Sequence, residues 1–202
     1  MSSTIAVSPL ETEKGLRGSP LKRFLKRIYA SVVPSEFAVF PEIDTDLIEC
    51  KELLKGRVLN AGAGWRDVSH LVDGELINQD ITWPGDERTN IDIQSPLHKI
   101  PLESNYFDAI LCIAVLEHVE NPDTLMNFLA AIHFKFLIIS TPEREIIRGR
   151  GDYGPPENTA HYREWNAAEF ENYVQGWFTI KKHHIVNDKS ISQVVICIKS
   201  PV

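Results

Sequence analysis

Two glycines spaced two residues apart follow a short apolar segment near residue 60. The run Val58–Gly64 reads VLNAGAG, and its apolar start is typical of a buried strand. Glycine adopts positive φ angles without strain and lets a ligand approach the main chain closely. At the carboxyl end of the first strand of an α/β sheet, such a turn suits a nucleotide-type ligand. Taken alone, the pattern fits an ordinary tight turn equally well.

An acidic residue stands at the predicted end of the next strand. Residues 75–80 read ELINQD, and Asp80 comes sixteen residues after Gly64. A carboxylate in this place is suited to accept hydrogen bonds from ribose hydroxyls. The full dinucleotide fingerprint G-x-G-x-x-G is absent, because Asp67 occupies the place of the third glycine. The sequence therefore disfavours NAD and FAD as ligands.

The second half of the chain holds candidate catalytic and acceptor-binding side chains. His161 lies in a polar stretch, residues 141–165, and His118 follows the predicted fourth strand. Either imidazole is a candidate general base toward an acceptor hydroxyl, and structural packing is the alternative for both. Three arginines are candidate ligands of an anionic acceptor, with salt bridges to nearby acids as the alternative. They are Arg144, Arg148 and Arg163.

The order of predicted elements brings these side chains to one edge of a sheet. Strands are predicted over residues 57–61, 75–80, 90–94, 106–113 and 135–140, and a final antiparallel pair over 177–186 and 190–199. Helices are predicted over 65–72, 122–132 and 167–175. This alternation predicts an α/β, Rossmann-like fold. Its sheet has about seven strands and is mostly parallel, with an antiparallel C-terminal edge and helices on both faces.

The chain divides into three predicted regions. Residues 1–18 are predicted to form a mobile tail, residues 19–55 a pair of helices, and residues 56–202 the main domain. The first helix, 21–33, carries a basic face, and we expect it to pack on the domain as a lid or dimer element rather than on a membrane surface. The second is predicted over 45–55 and is ended by Gly56.

The composition is that of an ordinary globular protein and disfavours two classes of partner, nucleic acids and membranes. The 202 residues are 43% hydrophobic and 24% charged, with a net charge of −7. That charge disfavours nucleic acid as a partner, and no apolar run reaches the ~18 residues of a membrane span. We therefore predict a soluble, cytoplasmic protein without stable membrane insertion. The three cysteines are isolated and predict buried thiols rather than a zinc site, so no metal is expected.

The order of the motifs resembles that of class I S-adenosylmethionine-dependent methyltransferases of the type 11-like group. The resemblance covers about residues 55–142 and rests on Val58–Gly64, Asp80, PLESNYFDAI at 101–110 and VLEHV at 115–119. It implies an enzyme whose cofactor is S-adenosyl-L-methionine. It also implies the binding residues. The glycine turn, with Asn60, Ala61, Gly62, Ala63 and Gly64, would wrap the methionine part, and Asp80 would bind the ribose. Ile81, the next residue, is a further candidate for cofactor binding. Ser95 and Leu97 would line the adenine, and Cys112 and Ile113 would touch the methionine end.

Three residues depart from the pattern of that family. Asn60 stands where an acid is usual, Arg66 where a third glycine is common, and Ser95-Pro96 where a Gly-Asp pair often occurs. The region from Ser140 to Trp165 resembles small bacterial methyltransferases linked with glycan biosynthesis. The prediction is methyl transfer to a hydroxyl of a small-molecule or glycan-precursor acceptor, with a homodimer left open. The alternatives are a non-catalytic S-adenosylmethionine-binding module and an NAD(P)-linked oxidoreductase on a similar fold.

Overall fold

Seven strands form one sheet in the computed structural model of the chain, which describes residues 45–81, 86–100, 106–187 and 191–200. The strands are β1 (Lys55–Ala61), β2 (Asp73–Asp80), β3 (Ile93–Gln94), β4 (Tyr106–Ile113), β5 (His133–Pro142), β6 (Phe178–Asn187) and β7 (Ile191–Lys199). The predicted tail and the predicted helix 21–33 lie outside the described residues.

The strand order across the sheet is β3-β2-β1-β4-β5-β7-β6. The first five strands pair in parallel, and β7 lies antiparallel to both β5 and β6. The predicted Rossmann-like fold with an antiparallel C-terminal edge is confirmed. The winding of the chain reverses between β1 and β4, and ligands of such sheets bind outside the carboxyl ends of the strands at this reversal.

Helical elements cover both faces of the sheet, as predicted. The α-helices are α1 (Thr45–Ile48), α2 (Pro122–Ala131), α3 (Arg144–Arg148) and α4 (Ala167–Gln175). On one face, Met126 of α2 and Phe170 of α4 are fully buried in the larger core. On the other face, Leu47 of α1 packs into a second core with Val58 of β1. None of the helices among the described residues has the length and apolar character needed to cross a membrane.

The starts of the two longer helices follow from their capping residues. Asn121 accepts a hydrogen bond from the Asp123 amide, and Pro122 is the first residue of α2. Asn166 and Glu169 form a reciprocal capping box at the start of α4. Both helices were predicted from these same residues, and their bounds agree with the prediction within one residue.

The predicted helix over residues 65–72 is wrong. This segment is a loop with one 3-10 turn, Ser69–Leu71. Asp67 accepts a hydrogen bond from the Ser69 amide at 2.9 Å, and this local turn competes with helix formation. The buried residues Val68 and Leu71 are spaced by three, and that spacing fits a 3-10 turn as well as a helix.

The predicted helix over residues 45–55 is also wrong in its second half. α1 has only four residues, Lys51–Leu53 is a 3-10 turn, and Gly56 lies inside β1 rather than at a helix end. Gly56 has φ +83°, and a Cβ there would overlap the carboxyl group of Asp108. Glycine is therefore required because Asp108 approaches the main chain closely, accepting a hydrogen bond from the Arg57 amide.

Candidate functional site

The glycine turn after β1 is bound to the end of β2. The amides of Gly62 and Ala63 both donate to the Gln79 carbonyl at 2.9 Å. The Gly64 amide donates to Asp80 Oδ2 at 2.7 Å. Asp80 and the glycine turn are therefore neighbours, as expected for residues that end adjacent parallel strands.

The two glycines of the turn differ in how closely other residues pack against them. Gly62 has φ +73°, and a Cβ there would lie 2.5 Å from Cγ2 of Val115, in the segment after β4. Gly64 has φ +59°, and a Cβ there would meet no heavy atom of the described residues within 4 Å. Gly62 is thus required by packing within the protein, whereas Gly64 borders open space where a ligand can approach.

Asp80 is held in an ion pair that the sequence did not indicate. Its Oδ2 accepts from Arg88 Nη1 at 2.5 Å, and its Oδ1 accepts from the Ile81 amide at 2.6 Å. The Arg88 side chain is fully buried and also binds Asp86 at 2.6 Å. Burial opposes the charge of Arg88, but its hydrogen bonds to Asp86 and Asp80 outweigh this and raise its pKa. The carboxylate predicted to bind ribose is therefore already oriented by a buried guanidinium.

The other predicted cofactor residues lie near this corner of the sheet with different exposures. The Ser95 amide donates to the Asp80 carbonyl at 3.0 Å, which holds Ser95 beside β2, and Ile81 is half exposed. Leu97 is buried in the larger core. Asn60 donates to Asn78 Oδ1 at 3.0 Å, and its neighbours Ala61 and Ala63 are buried.

The end of β4 leads into a strained residue. Cys112 is fully buried, Ile113 is 8% exposed, and burial raises the pKa of the Cys112 thiol to about 12. Ala114 follows with φ +53°, and its amide donates to both the carbonyl and the hydroxyl of Ser140 on β5. A positive φ at a residue other than glycine costs about 1–3 kcal/mol and often marks a functional segment.

Three residues beyond this strained position, a carboxylate and two imidazoles come together. One ligand atom from each of Glu117, His118 and His161 lies within 4.8 Å of the other two. The two rings pack edge to face, with their centroids 4.6 Å apart. Glu117 is 1% exposed, and burial raises its pKa to about 7. Both predicted catalytic histidines thus belong to one cluster, together with a carboxylate that the sequence analysis did not single out.

His161 is oriented by a neighbouring carboxylate. Its Nδ1 lies 2.7 Å from Oε1 of Glu164, and Asn158 Nδ2 lies 2.9 Å from its Nε2. Burial opposes ionisation of Glu164, but hydrogen bonds from His161 and Arg148 outweigh it and keep the pKa of Glu164 below its usual value. The ionised Glu164 therefore accepts the Nδ1 proton of His161, and the lone pair of the ring is on Nε2.

The three arginines predicted to bind the acceptor all have hydrogen-bond partners within the protein. Arg144 makes a bidentate ion pair with Glu169 of α4, at 2.7 and 2.9 Å. Arg148 pairs with Asp152 and Glu164, and its side chain is only 4% exposed. Arg163 donates to the Glu120 carbonyl at 2.8 Å. Salt bridging, the alternative considered from the sequence, is what the structure shows for Arg144 and Arg148, although Arg144 pairs with a more distant acid than expected.

Solved structures of methyltransferases share this fold at low sequence identity. A didemethyltoxoflavin N1-methyltransferase from Burkholderia thailandensis, solved with S-adenosylhomocysteine, has a TM-score of 0.60 at 18% identity, covering 99% of this chain and 94% of that one. A SAM-dependent methyltransferase from Aquifex aeolicus has a TM-score of 0.57 at 17% identity, covering 87% and 98%. The small RNA methyltransferase HEN1 has a TM-score of 0.58 at 19% identity, covering 79% of this chain but 25% of its own.

A family model matches one part of the chain. Residues 72–132, from β2 through α2, match the model described as a methyltransferase domain. This match covers less than a third of the chain, and over that part it supports the predicted methyltransferase and the prediction of an enzyme. A comparison with curated proteins finds no match.

Sequence reasoning missed three residues of the candidate site: Arg88, Glu117 and Glu164. Arg88 and Glu164 contact their partners, Asp80 and His161, through loops whose course the sequence pattern does not predict. Glu117 carried one signal, since it precedes His118 directly after a buried strand.

Proposed function

We propose that this methyltransferase transfers the methyl group of S-adenosyl-L-methionine to a hydroxyl of a small-molecule or glycan-precursor acceptor. The observation that carries the proposal is the position of His161. His161 belongs to a cluster with Glu117 and His118, which follow the end of β4, and Val115 of that same segment faces Gly62 of the glycine turn. A cofactor site and a candidate base therefore lie at the same edge of the sheet.

In this proposal the cofactor lies along the carboxyl ends of β1, β2 and β4. Gly64 supplies open space beside the main chain, and Asp80 accepts hydrogen bonds from the ribose hydroxyls. Ile81 and Ser95 border the adenine, while Cys112 and Ile113 limit the pocket behind the methionine end. The S-adenosylhomocysteine in the Burkholderia thailandensis enzyme supports this cofactor for the shared fold.

Methyl transfer from a sulfonium needs no covalent intermediate with the protein. The acceptor oxygen attacks the methyl carbon as the carbon–sulfur bond breaks, so the sulfonium becomes the neutral thioether of S-adenosylhomocysteine. The hydroxyl proton passes to Nε2 of His161, and the resulting imidazolium is stabilised by Glu164 at 2.7 Å. The acceptor hydroxyl takes the place of the Asn158 amide, which now donates to that nitrogen.

The charges around the site favour an acceptor that is rich in hydroxyls and carries little charge. Arg144 and Arg148 are already neutralised by acids. An anionic group on the acceptor would have to displace these partners or bind Arg163. This charge balance favours a neutral sugar or a similar alcohol over a phosphorylated acceptor. The cytoplasmic location and the homodimer stay predictions.

The experiment that tests the proposal compares His161→Ala with His133→Ala. His133 is an exposed residue at the amino end of β5, away from the site. We expect His161→Ala to lower the formation of S-adenosylhomocysteine by roughly two to four powers of ten, with cofactor affinity nearly unchanged, and His133→Ala to leave both unchanged. A folded His161→Ala protein with full turnover would contradict the assignment of the base.

Two binding results separate the alternatives. Calorimetry with S-adenosylmethionine and with NAD(P) distinguishes a methyltransferase from an oxidoreductase. A protein that binds S-adenosylmethionine tightly but turns over none of a panel of sugar, alcohol and amine acceptors would support the non-catalytic module instead.

A further inference from the structure

We propose that Glu117, His118 and His161 form a binding site for one divalent transition-metal cation. They supply a carboxylate oxygen and two imidazole nitrogens, which lie within 4.8 Å of one another. Since His118 and His161 are 43 residues apart in the chain, no metal-binding motif of fixed spacing revealed the site.

Hydrogen bonds hold both imidazoles in the tautomer with the proton on Nδ1. His118 Nδ1 lies 3.0 Å from the Ala160 carbonyl oxygen, and His161 Nδ1 lies 2.7 Å from a Glu164 oxygen. A carbonyl oxygen and an ionised carboxylate only accept hydrogen bonds, so each Nδ1 carries the proton. The lone pair of each ring is therefore on Nε2. A metal-binding histidine commonly has such a partner at its other nitrogen.

Glu117 supplies an independent indication. It is 1% exposed, and its Oε2 has no hydrogen-bond partner among the described residues. A buried carboxylate oxygen without a partner is costly, and such groups are normally paired or bound to a metal. A cation held between Glu117 and the two imidazoles would neutralise this charge and fill the missing contact.

The donor set selects the class of cation. Two imidazole nitrogens and one carboxylate oxygen suit manganese, cobalt or zinc better than magnesium or calcium, which prefer oxygen ligands alone. His118 is exposed, so the cation would keep open positions toward solvent. Three protein ligands with an open position are typical of a catalytic rather than a structural site.

Binding requires two small adjustments. Atoms about 2 Å from a common cation lie at most about 4 Å apart, so the ligand atoms have to move closer than the present 4.8 Å limit. The Asn158 side chain also has to turn away, because its amide now donates to His161 Nε2. In the metal-free protein, the Asn158 amide therefore occupies the position at His161 Nε2 where the cation would bind.

In the reaction, the cation would bind the acceptor oxygen and make its hydroxyl acidic enough to release the proton to solvent. With the cation bound, Nε2 of His161 is a ligand, so the cation replaces His161 as the group that activates the hydroxyl. This role rests on the proposed function, but the site itself does not. The test therefore begins with binding alone. The full chain is treated with a chelator and titrated with Co²⁺, whose visible absorption reports nitrogen and oxygen ligands at low coordination number. We expect one saturable site per chain, from which Zn²⁺ displaces the cobalt.

Variants locate the site. Glu117→Gln and His118→Ala should each weaken Co²⁺ binding by at least about tenfold, and the matched control His133→Ala should bind as the wild type does. Absence of a saturable signal, or equal loss in all three variants, would overturn the proposal. If Glu117→Gln fails to fold, the exposed His118→Ala still decides, because an unchanged affinity there also overturns it.

Calorimetry with S-adenosylmethionine on the same metal-free protein separates the two proposals. Cofactor binding without cobalt binding rejects the metal site and leaves the proposed function. Cobalt binding without cofactor binding rejects the proposed function and leaves the metal site.

Discussion

Gly64 borders open space beside the main chain of the glycine turn. Because an added Cβ there meets nothing within 4 Å among the described residues, Gly64→Leu should place its side chain where the cofactor is proposed to bind. The positive φ costs roughly 1–2 kcal/mol in backbone strain. We expect the affinity for S-adenosylmethionine to fall at least tenfold in calorimetry, while the protein stays folded.

Gly62→Ala is the matched comparison for this change. Its added methyl group would overlap Val115, which is stiff because it is β-branched. Thermal unfolding should therefore show a larger loss of stability for Gly62→Ala than for Gly64→Leu. A folded Gly64→Leu protein with wild-type cofactor affinity would place the cofactor elsewhere.

The residues predicted from sequence are positioned by regular strands, whereas the contacts that were missed depend on the conformation of loops or on elements far apart in the chain. Asp80 could be placed beside the glycine turn because adjacent parallel strands end at the same edge of the sheet. Its ion pair with Arg88 could not be predicted, because it depends on how the loop after β2 folds back. The same holds for Arg144, whose partner Glu169 lies 25 residues further along the chain.

At the scale of elements, the contact between α3 and α4 contributes stability that depends on pH. The hydrogen bond from Arg144 is the main reason that the pKa of Glu169 lies below its ordinary value of 4.5. A carboxyl group with a lower pKa in the folded state stabilises the fold above its unfolded pKa. This contribution is lost as the pH falls through the folded pKa.

We therefore expect Glu169→Gln to change the acid dependence of stability. Urea unfolding at several values between about pH 6 and pH 3 should show a smaller decline in the free energy of unfolding for Glu169→Gln than for the wild type. Glu120→Gln, an exposed control, should follow the wild type. Parallel curves for Glu169→Gln and the wild type would show that this ion pair contributes no pH-dependent stability.

The sequence predicted best those elements that begin with a capping residue or consist of a continuous apolar run. The apolar strand β4, YFDAILCI, and the capped helices α2 and α4 were predicted with bounds within one residue of those observed. The predicted helix over 65–72 failed because a residue spacing of three does not distinguish a 3-10 turn from an α-helix. The third strand was predicted too long, since only Ile93–Gln94 pairs with β2.

At the scale of the whole molecule, stability should be highest along the centre of the sheet. β4 pairs with strands on both sides, and four of its residues are fully buried: Ala109, Ile110, Leu111 and Cys112. β3 is a two-residue strand with one partner. We expect hydrogen exchange measured by mass spectrometry to be slowest in β4 and faster in β3. Equal protection of the two strands would contradict this gradient.

The two edge strands of the sheet determine whether a second chain can add a strand to it. β3 offers only two residues at one edge, and β6 at the other edge has an irregular register between Ile180 and Lys182, with exposed lysines at 181 and 182. Short strands, bulges and lysines make poor templates for an incoming strand. Concentrated solutions should therefore resist fibril formation through strand pairing at the two edges that the described residues form.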